Sequence, residues 1–139
     1  MQSIDHIGIA VKNLERSIPL FEMLMHTPCY KQEIVTGDNV ITAFLKTGET
    51  KVELLQDSNE QGIINKFIEK RGEGIHHIAF EVTNIHEEIA RLKKGGFIFI
   101  NEEPRPGADN KLICFLHPKS TNGILIELCQ QINTNKDLL

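Results

Sequence analysis

Apolar and polar positions along the chain follow strand and helix periods, and the elements they predict occur in the same order twice. A short segment rich in Ile and Val indicates a buried strand, followed by an amphipathic helix and three further strands. After a short connecting helix the same order returns. The predicted strands lie at 4–11, 29–36, 40–46, 51–56, 75–82, 97–102, 111–117 and 123–130. We therefore predict an α+β fold in which two βαβββ modules form a curved mixed sheet.

The first helix is predicted at about residues 14–26. Pro19 is tolerated only near the start of a helix, which favours Ser17 over Asn13 as the residue that caps it. One face of this helix is apolar and is expected to pack on the sheet. The residues of that face are Ile18, Phe21, Leu24 and Met25.

The helix of the second module has a clearer start signal. Asn84 is followed three residues later by Glu87, as in a capping box. Its apolar stripe, which should face the core, consists of Ile85, Ile89 and Leu92.

The amino-acid sequence itself repeats along with the elements. The segment 4–11 aligns with 75–82, which pairs His6 with His77. A second repeated segment, 51–56, aligns with 125–130 and pairs Glu53 with Glu127. Each module therefore contributes one histidine and one glutamate at equivalent positions.

The repeat suggests one domain of residues 1–131, made of modules 1–71 and 72–131, and a polar tail at 132–139. A chain of 139 residues is long enough for two small modules that share a core. The turn of the first hairpin is expected at Gly37-Asp38-Asn39.

Composition restricts the possible partners. The chain is 40% apolar and 24% charged, which is typical of a globular protein, and its net charge of −4 leaves no basic footprint for nucleic acid. No apolar run reaches the roughly 20 residues that a membrane helix needs, and no export leader is evident. The 3 cysteines have no paired spacing, so we expect reduced thiols and a cytoplasmic protein.

The histidines and glutamates suggest a metal site. Strand alternation places His6 on the face of Gly8 and Ala10, opposite the branched residues, and His77 on the face of Ala79. A single histidine in a strand is more often structural than a ligand, but duplication relates four such groups by a pseudo-two-fold axis. Two imidazoles and two carboxylates suit a divalent ion such as Co²⁺, Mn²⁺, Ni²⁺ or Zn²⁺. The other histidines fit structural or solvated positions.

Three segments resemble the vicinal-oxygen-chelate superfamily of glyoxalases, bleomycin resistance proteins and dioxygenases, and most of all its methylmalonyl-CoA epimerase family. HPKSTNGILIEL resembles that family's HPKS-x-x-G-V-L-I-E-L segment, GIHHIA its G-[LM]-HH-[MI] segment, and IDHI its opening motif. They occupy residues 117–128, 74–79 and 4–7. The likeness extends over about residues 3–131 and implies paired βαβββ modules around one metal.

By this resemblance His6, His77 and Glu127 are metal ligands, and Glu53 takes the place of a glutamine or glutamate ligand. Co²⁺ is the ion expected for activity. The implied reaction removes and returns the proton at C2 of an acyl-CoA through a metal-stabilised enolate. Inversion needs proton transfer on both faces, so Glu127 and Glu53, two carboxylates on opposite sides of the ion, are the candidate bases; the alternative is that both are ligands only. Some relatives carry a glutamate base where Thr42 stands here, and threonine cannot take that role.

The resemblance also implies an acyl-CoA substrate and a homodimer. Lys119 and Ser120 are the candidate substrate-binding residues, with Arg105 and Lys111 as other cationic options. Two alternatives stay open. A glyoxalase I-type lactoylglutathione lyase, or a lyase for another thiol hemithioacetal, could use the same ligands, and a non-catalytic relative could bind a small molecule in the same cleft.

Overall fold

The computed structural model describes residues 1–35, 37 and 39–132 and divides into two compact units. One unit is His6–His76; the other is Met1–Asp5 with His77–Leu139. The helices are α1 (Leu14–Met25), α2 (Ile63–Arg71) and α3 (Ile85–Lys94). The strands are β1 (Ser3–Ala10), β2 (Lys31–Val35), β3 (Val40–Thr47), β4 (Thr50–Asp57), β5 (Gly74–Glu81), β6 (Arg105–Pro106), β7 (Lys111–Leu116) and β8 (Ile126–Gln131). The predicted α+β class with a mixed sheet is confirmed, because parallel and antiparallel pairs occur in both units.

In the unit His6–His76 the strands lie in the order β2-β3-β4-β1. β4 is antiparallel to β3 and parallel to β1. Side chains alternate between the faces of a strand, so Leu54 and Glu53 point to opposite sides. The Leu54 side forms a core with the inner face of α1, including Ile18 and Phe21. The apolar stripe of α2 packs on Leu55, at one end of the Glu53 side.

The start of α1 differs from the prediction. Asn13, not Ser17, caps the helix by accepting a hydrogen bond from the N–H of Arg16 (3.4 Å), and Pro19 lies within the helix. The loss of one backbone hydrogen bond at this exposed proline is offset because Leu14 is buried in the core. The prediction that Leu24 lies on the packed face of the helix is also wrong, since 73% of its surface is exposed.

In the other unit the strands lie in the order β5-β8-β7-β6. β8 is parallel to β5 and antiparallel to β7. Asn84 caps α3 by accepting a hydrogen bond from the N–H of Glu87 (3.1 Å), as predicted. The predicted apolar stripe of α3 packs against Leu112, Leu116 and Leu128.

The predicted strand at 97–102 is wrong as a regular strand. Phe99 forms an isolated bridge with Leu116, and β6 pairs with β7 over only two residues. Pro104 and Pro106 have no N–H to donate, which limits backbone pairing around β6.

The remaining local predictions have mixed outcomes. β2 and β3 form the expected antiparallel hairpin, but residues 36 and 38 of its predicted turn lie outside the described residues. Of the predicted tail, residues 133–139 also lie outside them. Ile132 is described, and its N–H donates to the carbonyl of Asn110 (3.0 Å).

Gly62 lies directly before α2, next to the carboxylate of Asp57 that binds the first turn of this helix. A Cβ at this position would lie 2.2 Å from Cγ of the buried Asp57, whose Oδ2 accepts a hydrogen bond from the N–H of Asn65 (2.6 Å). We expect Gly62→Ala to displace this carboxylate and lower the free energy of unfolding by about 1–2 kcal/mol, measured by urea denaturation. Gly74→Ala is the matched control, because a Cβ at Gly74 would meet nothing within 4 Å. Equal stability of the two variants would contradict the role of Asp57.

Candidate metal centre

In the unit His6–His76, one predicted pair of ligands is in contact. β1 carries His6 and β4 carries Glu53, and Nδ1 of His6 lies 3.1 Å from Oε2 of Glu53. Only 7% and 5% of the two side chains is exposed. Because β1 and β4 are parallel neighbours, the two residues reach each other across a single strand spacing.

The other unit holds the equivalent pair. β5 carries His77 and β8 carries Glu127, and Nε2 of His77 lies 3.4 Å from Oε1 of Glu127. These side chains are equally buried, with 6% of each exposed. The structure therefore brings His6 to Glu53 and His77 to Glu127, as the repeat suggested for each module.

Each glutamate has the same kind of neighbours. Gly8 and Phe44 lie directly opposite Glu53 on β1 and β3. Ala79 and Phe115 lie opposite Glu127 on β5 and β7; these two form the corresponding small-residue and phenylalanine pair. A small residue leaves space on that face of the sheet, while an aromatic ring excludes water.

The second phenylalanine also touches the histidine. The ring of Phe115 meets the imidazole of His77 edge to face, with 5.7 Å between the ring centroids. Such a contact limits rotation of the imidazole. It therefore helps to hold a ligand nitrogen in a fixed direction.

The four side chains fit a divalent ion by their chemistry. Each offers an imidazole nitrogen or a carboxylate oxygen, the donors that ions of intermediate hardness prefer. Burying a carboxylate is costly unless a positive charge or hydrogen-bond donors compensate it. That all four share one ion stays a prediction.

Thr42 lies on β3 and is 2% exposed. It pairs with Leu55 on β4, so its hydroxyl lies on the same face as Glu53, two residues away. A threonine hydroxyl is not a base at neutral pH. Two buried carboxylates lie on this face of the neighbouring strand, Glu53 and Asp57.

The loop between β7 and β8 holds the two predicted substrate-binding residues. Lys119 is exposed, and its N–H donates to Nδ1 of His117 (3.1 Å). The hydroxyl of Ser120 donates to the carbonyl of His117 (3.0 Å) and accepts from the N–H of Ile98 (3.2 Å). Ser120 therefore ties this loop to the segment that contains Ile98.

Lys111, considered from the sequence as a cation for the substrate, is instead buried. Its Nζ lies 3.5 Å from Oδ1 of Asp5, and only 7% of each side chain is exposed. A buried lysine with a carboxylate partner is not available to bind phosphate in solution. Sequence reasoning missed this ion pair because the two residues are far apart in the chain and follow no shared motif.

His76, treated as structural from the sequence, contacts the ring of Phe67 edge to face at 5.0 Å. Burial lowers the pKa of His76, and the negative charge of Asp57 offsets part of that effect. A half-buried histidine that packs against an aromatic ring fits a structural role.

The burial of two cysteines indicates how little solvent reaches the sheet around Glu127. Cys129 is fully buried on the Glu127 face of β8, and Cys114 is buried on the opposite side of β7. Burial, and to a lesser degree the charge of Glu127, raise the pKa of the Cys114 thiol to about 12. Cys29 is only half-buried.

We expect an alkylating reagent at pH 8 to modify Cys29 in the folded protein and leave Cys114 and Cys129 unmodified, because alkylation requires an accessible thiolate. Mass spectrometry of the native and the urea-unfolded protein measures this, and all 3 thiols should react after unfolding. Cys29→Ser should abolish the native reaction. Rapid native labelling of Cys114 would show that water reaches the core behind Glu127.

Among the described residues, no helix is both long and apolar enough to cross a membrane.

Comparison with known proteins bears on the same residues. Residues 5–115 match the family model of the glyoxalase/bleomycin resistance protein/dioxygenase superfamily. The chain is 35% identical over 126 residues to the mitochondrial methylmalonyl-CoA epimerase of Dictyostelium discoideum, covering 90% of this chain and 76% of that protein.

Solved structures give the same result. A hypothetical protein from Bacillus halodurans is 43% identical, with a TM-score of 0.90, and covers 94% of this chain and 95% of its own. A variant of Streptomyces coelicolor methylmalonyl-CoA epimerase in complex with 2-nitronate-propionyl-CoA is 31% identical, with a TM-score of 0.90, over 96% and 97% of the two chains.

These matches extend over most of the chain and confirm the resemblance that the HPKS-type and paired-histidine segments indicated. The chain belongs to the glyoxalase/bleomycin resistance protein/dioxygenase superfamily and, within it, to the isomerase-class enzymes related to methylmalonyl-CoA epimerase.

Proposed function

We propose that this protein is a metal-dependent epimerase that inverts C2 of methylmalonyl-CoA by removing the proton on that carbon and returning it to the other face. The observation that carries the proposal is the buried pair of imidazole and carboxylate found in each unit. The related epimerase from S. coelicolor, in complex with an acyl-CoA analogue, supports an acyl-CoA as the small-molecule substrate.

We infer that His6, Glu53, His77 and Glu127 together hold one divalent ion, with Co²⁺ expected for activity and Mn²⁺, Ni²⁺ or Zn²⁺ as other candidates. Three features support this assignment: the donor types, the burial of all four side chains and their equivalent positions in a repeated sequence. Two carboxylates would neutralise a divalent charge, which satisfies the need of buried glutamates for compensation.

The reaction needs stabilisation of negative charge and two sites of proton transfer. A divalent ion held by these ligands would supply positive charge, which stabilises the negative charge that forms when C2 loses its proton. Inversion also needs one group that takes the proton on one face of C2 and another that returns a proton on the opposite face. Glu53 and Glu127 are the proposed groups.

The neighbours of these glutamates suit proton transfer. Phe44 and Phe115 exclude water beside the two carboxylates, which slows loss of the transferred proton to solvent. Gly8 and Ala79 leave space on the same faces for a substrate.

Lys119 and Ser120 are proposed to contact the thioester or its arm. Lys119 is exposed and can follow a flexible ligand, whereas the hydroxyl of Ser120 is bonded within the loop and fixes its shape. We also propose a cytoplasmic homodimer, which the resemblance to the epimerase family supports.

The direct test follows hydrogen exchange at C2. The Co²⁺-loaded protein in deuterated water should incorporate deuterium at C2 of methylmalonyl-CoA, as measured by mass spectrometry. His6→Ala and His77→Ala should each weaken Co²⁺ binding by more than about 100-fold, since loss of a group that only supports a ligand already costs 10–100-fold, and should abolish exchange. His86→Ala, at an exposed histidine on α3, is the matched control.

Absence of exchange in the metal-loaded protein, together with turnover of a thiol hemithioacetal of a 2-oxoaldehyde, would support the glyoxalase I-type lyase instead. Metal binding without either reaction would support a non-catalytic binding protein.

A second test asks whether Glu53 transfers a proton or only binds the metal. Glu53→Gln keeps an oxygen ligand but removes the base on one face of C2, so the rate of epimerisation should fall by about 10²–10⁴-fold while Co²⁺ stays bound. Thr42 and Glu53 are diagonal neighbours on one face, a relation in which residues lie about 7–8 Å apart. The double variant Thr42→Glu/Glu53→Gln should therefore recover part of the lost rate.

The measurements are the rate of epimerisation, metal content and thermal unfolding of each variant, with Thr42→Glu alone as the control. Full epimerisation by Glu53→Gln would show that Glu53 is a ligand only. A folded, metal-loaded double variant with no recovery would show that a carboxylate on β3 does not reach the reacting carbon.

A further inference from the structure

The segment before β6 has an unusual distribution of apolar residues. Phe97 and Phe99 pack against the core that α3 forms with β7 and β8. The residues between and after them, Ile98 and Ile100, are 53% and 49% exposed. The alternation is that of an extended strand, with one apolar side buried and the other apolar side open.

Backbone pairing fixes which face the exposed isoleucines share. The bridge between Phe99 and Leu116 is antiparallel, so Ile100 lies opposite Phe115. The N–H of Ile100 donates to the carbonyl of Phe115 (2.9 Å), and Phe115 in turn lies opposite Glu127. Glu127, Phe115 and Ile100 therefore form a row on one face, which runs from β8 to the edge of the sheet.

Ile98 extends this row into a surface. The N–H of His117 donates to the carbonyl of Ile98 (2.7 Å), and the hydroxyl oxygen of Ser120 accepts a hydrogen bond from the N–H of Ile98. The loop that carries the exposed Lys119 thus holds Ile98 in place. We refer to Ile98, Ile100 and Phe115 as the edge strip.

The edge strip starts one strand from Glu127 and ends two strands away, about 10 Å across the sheet. Beyond Glu127 along β8, the same face is closed by Cys129, which is buried together with Ile113 on β7. A ligand that reaches Glu127 over the face of this unit can therefore extend along the edge strip, where the apolar surface is open. Exposed β-branched residues at a sheet edge promote association, and a bound ligand would cover them.

We propose that the edge strip binds the apolar part of the pantetheine arm of an acyl thioester whose C2 lies at Glu127. This inference rests on the proposed function. The thioester sulfur is two bonds from C2, so the arm begins beside Phe115 and its methylene groups reach Ile100 and Ile98. Lys119 is on the loop bonded to Ile98. It is therefore on the side where the pantetheine arm ends and the phosphates of a coenzyme A ester follow.

The test measures binding of unreactive propionyl thioesters by isothermal titration calorimetry. The variant Ile98→Thr/Ile100→Thr keeps β-branched residues at both positions and removes apolar surface. Its Kd should rise about tenfold for propionyl-CoA and for propionyl-pantetheine, and less than twofold for propionyl-N-acetylcysteamine, whose arm ends at the first amide. Ile34→Thr is the matched control, because Ile34 is 61% exposed on β2, on the face opposite Glu33 and Thr42.

The three ligands separate the possible outcomes. An unchanged Kd for propionyl-pantetheine overturns the inference, and so does an equal loss for all three thioesters, which would mean a general disturbance of the site. Loss for propionyl-CoA alone would assign the effect to the nucleotide and also overturn it. The proposed function fails separately, if the unmodified protein does not epimerise methylmalonyl-CoA, and the calorimetric comparison still decides what the edge strip binds.

Discussion

Contact between a buried carboxylate and a buried imidazole is the constraint on which each unit depends. Glu53 and Glu127 are almost completely buried. Loss of the hydration of a carboxylate costs several kcal/mol unless other groups compensate it. The parallel pairing of β1 with β4, and of β5 with β8, places a histidine next to each. Two buried acid–imidazole pairs therefore add little to the stability of a small protein. Buried ionisable groups that are brought together in this way are typical of binding and catalytic sites.

The features that could be predicted from sequence are those with a strong local period or an exact repeat. Ile7 and Ile9 alternate with Gly8 and Ala10, so the two faces of β1 could be distinguished without coordinates. The duplication then gave more than either copy alone, because it identified His77 and Glu127 as equivalents of His6 and Glu53. Within each unit the structure places these partners in contact.

The features that could not be predicted depend on contacts between distant segments. Pro19 argued for a late start of α1, but burial of Leu14 against β4 outweighs the lost hydrogen bond. The ion pair between Asp5 and Lys111 joins residues with no common motif. Neither residue carries a local signal of burial, and both are charged, so composition pointed to the surface.

The short β6 has a further consequence, seen when the two phenylalanines are compared. Phe44 is fully buried; β2 covers it with Lys31, whose Nζ lies 4.4 Å from the ring centroid, and Tyr30 adds a ring contact. Phe115 occupies the equivalent position beside Glu127 but stays partly exposed, because only the irregular segment at Ile100 pairs with it. The repeat is therefore retained at the carboxylates, where the proposed chemistry needs two similar groups. It is lost at the sheet edge, where the proposed acyl thioester needs only one open approach.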